Sequence, residues 1–132
     1  MSPTRRTLEL LRASGYVADV CERWLPRVNR RRDLFHAADV IAVRPAAREI
    51  LLVQCTSRAN LSARVRKVRA RFEVAAWLKA GGAFECWGWF ESSTGRWDVS
   101  RIALRPDDVQ VDLTPRRGRR ARKGERQREL FG

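Results

Sequence analysis

The run DVIAVRPAAREILLVQCT, residues 39–56, decides the fold. Val40, Ile41, Ala42 and Val43 read as one strand, Arg44 to Arg48 as a turn around Pro45, and Ile50 to Thr56 as a second strand whose continuous apolar run suits burial on both faces. A turn this short predicts an antiparallel hairpin, which brings Asp39 close to Gln54. Alternation along the second strand puts Gln54 and Thr56 on one face and sends Cys55 to the other.

Upstream, Thr4 is the expected cap of a helix running to about Ser14, with Leu8, Leu11 and Leu10 on its buried stripe and Gly15 as its left-handed stop. Tyr16 to Cys21 read as a strand, and the segment from Pro26 to Arg32 as a basic loop. Downstream, Leu61, Val65, Val68, Phe72, Ala75 and Ala76 recur at helical spacing and predict one helix from Asn60 or Ser62 to Lys79, stopped by Gly81-Gly82. Ala83 to Phe90 and Trp97 to Leu104 read as two strands joined by the hairpin turn ESSTGR. The expected order is α-β-β-β-α-β-β, an α/β chain. Residues 1–105 are the expected folded domain and 106–132 a basic tail. From Thr114 to Arg128 the tail is almost all Arg, Gly, Lys, Glu and Gln, too polar to order itself.

The whole chain has 132 residues, the size of one domain, and 28 basic against 15 acidic side chains give a net charge of +13. Residues 1–105 hold 20 of the basic and 10 of the acidic groups, so most of the excess lies outside the tail. That bias favours polyanionic partners, nucleic acid first. Three widely spaced cysteines, Cys21, Cys55 and Cys86, read as reduced thiols of a cytoplasmic protein. The lack of a CxxC pair and the single histidine, His36, argue against Cys/His zinc sites and against nearly all His-dependent triads. The N-terminus lacks a signal-peptide apolar core and no apolar run suggests a membrane span, so no membrane partner is expected.

Asp39 beside an oxygen-bearing side chain suits a hard cation such as Mg²⁺, and Asp33 adds a second carboxylate if the loop folds back. Alternatively, Asp33 and Asp39 are turn and strand-entry residues that bond local backbone amides. On the long helix, Arg64, Lys67 and Arg71 flank one side and Arg66 and Arg69 the other. With Arg27, Arg30, Arg31 and Arg32 they form a candidate phosphate-tracking surface, unless they only cover the core edge. Trp87, Trp89 and Trp97 suit sheet packing better than base stacking. His36 reads as a surface or phosphate-contact residue.

Gly15-Tyr16, Arg32-Asp33-Leu34-Phe35, Asp39-Val40-Ile41-Ala42 and Leu52-Val53-Gln54-Cys55-Thr56, followed by the helix, Gly81-Gly82 and Cys86-Trp87-Gly88-Trp89, resemble the PD-(D/E)XK nuclease superfamily. The branch they resemble is that of archaeal-type Holliday junction resolvases and phage-borne relatives. The resemblance implies a restriction-endonuclease-like core, a mixed sheet flanked by helices. It also implies Mg²⁺- or Mn²⁺-dependent hydrolysis of DNA phosphodiesters, branched DNA included, in repair, recombination or phage genome processing. A homodimer is one assembly it implies. By the same resemblance Asp39 is the metal-binding aspartate, Gln54 stands for the second acidic ligand, and the Cys55 carbonyl is a further ligand. Thr56 stands where the family has lysine, a cation that Arg58, Arg64 or Lys67 would replace, while Asp33 or Glu22 would restore the missing carboxylate. The alternative is the same fold with a decayed site, kept as a DNA-binding accessory. In the tail, Gln127, Leu130 and Phe131 of QRELF are similar to the QxxLF pentapeptide that docks on bacterial sliding clamps.

Overall fold

A computed structural model describes residues 1–21, 23–27 and 30–109. Helix α1 (Pro3–Ala13) is capped by Ser2, whose hydroxyl accepts the Arg5 N–H at 3.1 Å, with Pro3 in the first turn. The cap is therefore Ser2, not Thr4. Proline lacks the N–H that a first-turn position would leave unpaired, so the helix begins two residues earlier. Gly15, at φ 93°, takes the left-handed turn that ends it.

Five strands build the main sheet: β1 (Val17–Val20), β4 (Val40–Arg44), β5 (Glu49–Ser57), β6 (Ala83–Glu91) and β7 (Trp97–Leu104), adjacent in that order. Every pairing is antiparallel except β5 with β6. Parallel neighbours need a long crossover, here supplied by α2 (Leu61–Arg69) and α3 (Phe72–Lys79). The β4–β5 hairpin forms as the sequence predicts, with Val40 opposite Val53 and Val43 opposite Ile50. The segment expected as a basic loop instead contributes to a separate two-stranded ribbon, β2 (Arg23–Leu25) against β3 (Arg30–Arg32). Arginine-rich strands carry no apolar alternation, so the ribbon left no mark in the pattern.

The single long helix expected over residues 60–79 is two. Continuing the α2 stripe of Leu61, Val65 and Val68 would bury Phe72, yet Phe72 is 52% exposed and Val74, Ala75 and Leu78 are buried instead. A break at Ala70-Arg71 resets the phase, and Glu73 enters the first turn of α3, where a carboxylate is favoured by the helix dipole.

The sheet is covered on both faces. Under α1, Leu8 and Leu11 pack with Leu51, Val53, Cys55, Trp87 and Trp89. On the other side α2 and α3 pack on Leu52, Phe84 and Cys86. Residues 51–56 of β5 are consequently all buried. Trp87 and Trp89 are core, as their alternation predicts, and the Trp89 indole donates to Thr7 Oγ1 at 2.8 Å. Packing continues past residue 105: Pro106–Asp108 form a 3₁₀ turn and Val109 joins the α2/α3 core. Among the described residues no helix is long and apolar enough to cross a membrane.

Gly88 marks the tightest approach near the site. A methyl group there would lie 2.9 Å from the Arg58 Cα and 3.1 Å from the Leu61 Cβ. Gly88→Ala must push the Arg58–Asn60 turn off β6. The expected loss is about 1–3 kcal/mol, measured as a lower urea midpoint at unchanged slope.

Candidate functional site

The site lies where β4 begins and β5 runs toward α2. Asp39 is held from both sides by its backbone: its N–H donates to the Val53 carbonyl at 2.9 Å and its own carbonyl accepts from the Cys21 N–H at 2.9 Å. Its side chain falls on the face that carries Ile41, and Gln54 and Thr56 fall on that same face because Leu52 does. Sequence alternation had grouped these three residues, and the hairpin brings Asp39 to Gln54. All three are buried.

Asp39 Oδ2 accepts two hydrogen bonds, from Gln54 Nε2 at 2.7 Å and from the Cys55 backbone N–H at 2.8 Å. Ladder pairing between β4 and β5 ends at Val40–Val53. Past that point the carboxylate acts as the acceptor that the missing strand would have provided. A charged acceptor for two buried donors makes these among the stronger hydrogen bonds a chain can form.

As closed here, Asp39 Oδ2 is turned to N–H donors rather than to a cation. Oδ2 already faces two N–H groups, and the Gln54 amide turns its nitrogen, not its oxygen, to the carboxylate. The contact that Cys55 makes with Asp39 is its N–H rather than the carbonyl the resemblance implies. Among the described residues no group of three or more His, Cys, Asp or Glu side chains is arranged to hold a metal. Asp33 precedes and Asp39 follows the Leu34–Ala38 bridge, which folds the chain back on itself between them. Both carboxylates act on Cys21, whose thiol is pushed up to about 12 by burial first and then by Asp39 and Asp33. Burial likewise pushes Cys55 and Cys86 up to about 12. All three thiols are protonated at neutral pH and poor as ligands or nucleophiles.

The cations expected in place of a lysine lie on the turn after β5 and on α2. Arg58 has its backbone over Gly88, the register partner of Thr56, but its guanidinium stacks on Phe90, 3.8 Å from the ring centroid. Lys67 is exposed on α2 and Arg64 half-buried there. Arg71 leaves their helical row because the helix breaks before it; its Nη2 bonds Glu73 Oε2 at 2.8 Å. Arg32 is exposed. The side chains of Arg30 and Arg31, and Glu22, Gln127, Leu130 and Phe131 entirely, lie outside the described residues.

One feature escapes sequence reading altogether. Phe35 and His36 both have positive φ, 57° and 55°, in a turn closed by the Ala37 N–H on the Leu34 carbonyl at 3.0 Å. Such turns favour Gly, Asn or Asp, and the conformation costs roughly 1–2 kcal/mol for each other residue. Phe35 packs on Trp77 at a 6.4 Å centroid separation, and a cleft of about 460 Å³ opens beside the turn. The only available signal was negative, the absence of glycine where the chain reverses.

Comparison with known proteins returns no matching family model, no matching curated protein and no matching solved structure.

Removing the Asp39 carboxylate strands the Cys55 N–H and the Gln54 amide in the core. Asp39→Ala is expected to cost about 2–5 kcal/mol, whereas Asp39→Asn, which keeps an acceptor oxygen, should retain a good part of that. Urea unfolding of both variants measures the difference.

Proposed function

We propose that the chain is a nucleic-acid-binding protein on a restriction-endonuclease-like core, with the Asp39–Gln54 pair closing the β4–β5 junction instead of holding Mg²⁺. The observation that carries this reading is the filled Asp39 Oδ2 inside a chain of net charge +13. Phosphate contacts supply most non-specific affinity for DNA and need cations held at an accessible surface. Arg64, Arg66, Lys67 and Arg69 decorate α2, directly beyond the end of β5, and Arg58 precedes them. Ligand crevices in mixed α/β sheets commonly open beyond the carboxyl ends of parallel strands. The β5–β6 pair is the only parallel one among the described strands, so its end and the α2 cations form one candidate DNA face.

A second reading, a Mg²⁺- or Mn²⁺-dependent endonuclease resembling Holliday junction resolvases, is favoured by Gln54 beside Asp39 and by Asp33 and Asp39 both acting on the Cys21 thiol. It requires the closed pair to open. The QRELF tail adds a proposed tether to a sliding clamp through Gln127, Leu130 and Phe131, an extended segment ending in a short apolar anchor. A homodimer fits either reading of a palindromic or branched DNA.

The test is binding and cleavage of labelled duplex, single-stranded and four-way-junction DNA at low salt, with and without Mg²⁺ or Mn²⁺. Wild type is expected to bind all three without metal and to cut none. Replacing Arg64 and Lys67 together by Ala should reduce the slope of log affinity against log salt by roughly two. Metal-dependent cutting that Asp39→Asn abolishes would replace this reading by the nuclease.

A further inference from the structure

The cleft beside the Phe35–His36 turn lies between that turn and the α2–α3 break, lined by Arg32, Asp33, Phe35, His36, Arg71 and Glu73 among others. At about 460 Å³ it falls within the range of small-ligand pockets. Three features of it are unexplained by packing. Arg71 Nε is buried with no hydrogen-bond partner, although the same guanidinium bonds Glu73. Phe35, one side against Trp77, keeps 37% of its surface exposed at the cleft. The turn that presents it holds two consecutive non-glycine residues at positive φ.

The lining also limits what fits. Arg32, Arg71 and His36 face Asp33 and Glu73, and ionised Glu73 is favoured: burial opposes its charge, but the Arg71 bond, a backbone amide and the neighbouring charges outweigh it and lower its pKa. Two carboxylates repel a bare phosphate dianion. A flat aromatic face beside mixed donors and acceptors instead suits a heterocycle whose edge both donates and accepts.

We propose that this cleft takes one unpaired nucleotide of a bound strand, its base stacked on the open side of Phe35 and an acceptor oxygen received by the Arg71 guanidinium. The inference rests on the nucleic-acid-binding reading and deepens it. The supporting shell is visible. A methyl group on Gly82 would meet the Trp77 ring at 2.3 Å, and the Trp77 indole donates to the Ala83 carbonyl at 2.7 Å, so the strand after α3 fixes the ring on which Phe35 leans.

The experiment measures the full chain, by fluorescence anisotropy, against a labelled single-stranded DNA, the same strand carrying a central run of abasic sites, and a duplex. Wild type should bind the base-bearing strand about tenfold more tightly than the abasic one, within what base–aromatic stacking contributes. Phe35→Leu, which keeps an apolar side chain but no ring, should bring that ratio close to one. Arg71→Lys, which keeps the charge but not the planar guanidinium, should lower it as well and serves if Phe35→Leu fails to fold. Wild type that binds duplex and both single strands alike overturns the nucleotide pocket while leaving DNA binding intact. An unchanged ratio in both folded variants overturns it too. Wild type that binds none of the three overturns the nucleic-acid reading itself, and the pocket with it.

Discussion

One carboxylate oxygen holds the centre of this molecule together. Asp39 Oδ2 receives the Cys55 N–H and the Gln54 amide at the point where the β4–β5 ladder stops. β5 is buried on both sides over residues 51–56, so an N–H left there without an acceptor would carry its full desolvation cost. The backbone of Asp39 is tied in turn to Val53 and Cys21, which joins the end of β1 to the middle of the sheet. Asp39 thus ties the end of the β4–β5 ladder through its side chain and the end of β1 through its backbone.

Around it, small residues decide how closely the layers approach. Gly88 lets the Arg58–Asn60 turn lie on β6, which starts α2 directly over the end of β5. Gly82 admits the Trp77 ring, and Trp77 supports Phe35. On the opposite face the space is filled by large residues instead: Trp87 and Trp89 pack beneath α1, Arg101 stacks on Trp87 and Arg6 on Trp97. Arginine lying flat on indole explains how strand β7 carries a half-exposed tryptophan without an open apolar patch. The sheet thus has one stiff, aromatic face and one face whose surface is shaped by glycine-permitted contacts, and the cleft opens on the latter.

Much of this was legible in the sequence. The hairpin of β4 and β5, the limits of β7, the burial of Trp87 and Trp89 and the approach of Asp39 to Gln54 all follow from alternation and apolar runs, which report directly on which face meets the core. What stayed hidden had no apolar signature. The β2–β3 ribbon is arginine-rich, and the α2–α3 break falls inside a stripe whose spacing Phe72 continues while its side chain leaves for solvent. The Phe35–His36 turn adopts a conformation its residues do not favour, and Ser2 displaced Thr4 as a cap only because Pro3 can occupy the first turn. The restriction-endonuclease-like reading drew on the order of motifs. The closed geometry at Asp39 is a matter of which amide atom faces the carboxylate, and no motif encodes that.

That amide is where the chemistry turns. A glutamate at residue 54 would set a second carboxylate against Asp39 at hydrogen-bonding distance, and two such groups cannot both ionise without a cation or a shared proton between them. Glutamine removes that demand. Its amide is isosteric with the carboxyl group but brings N–H donors, so the interaction across the strands changes from repulsion that a metal must relieve to attraction that needs none. Thr56 suits the same buried position, since a lysine ammonium there would need charged partners, whereas a hydroxyl needs only one hydrogen bond. Apart from the buried Asp39, charge in this region is carried outward, on α2 and around the cleft.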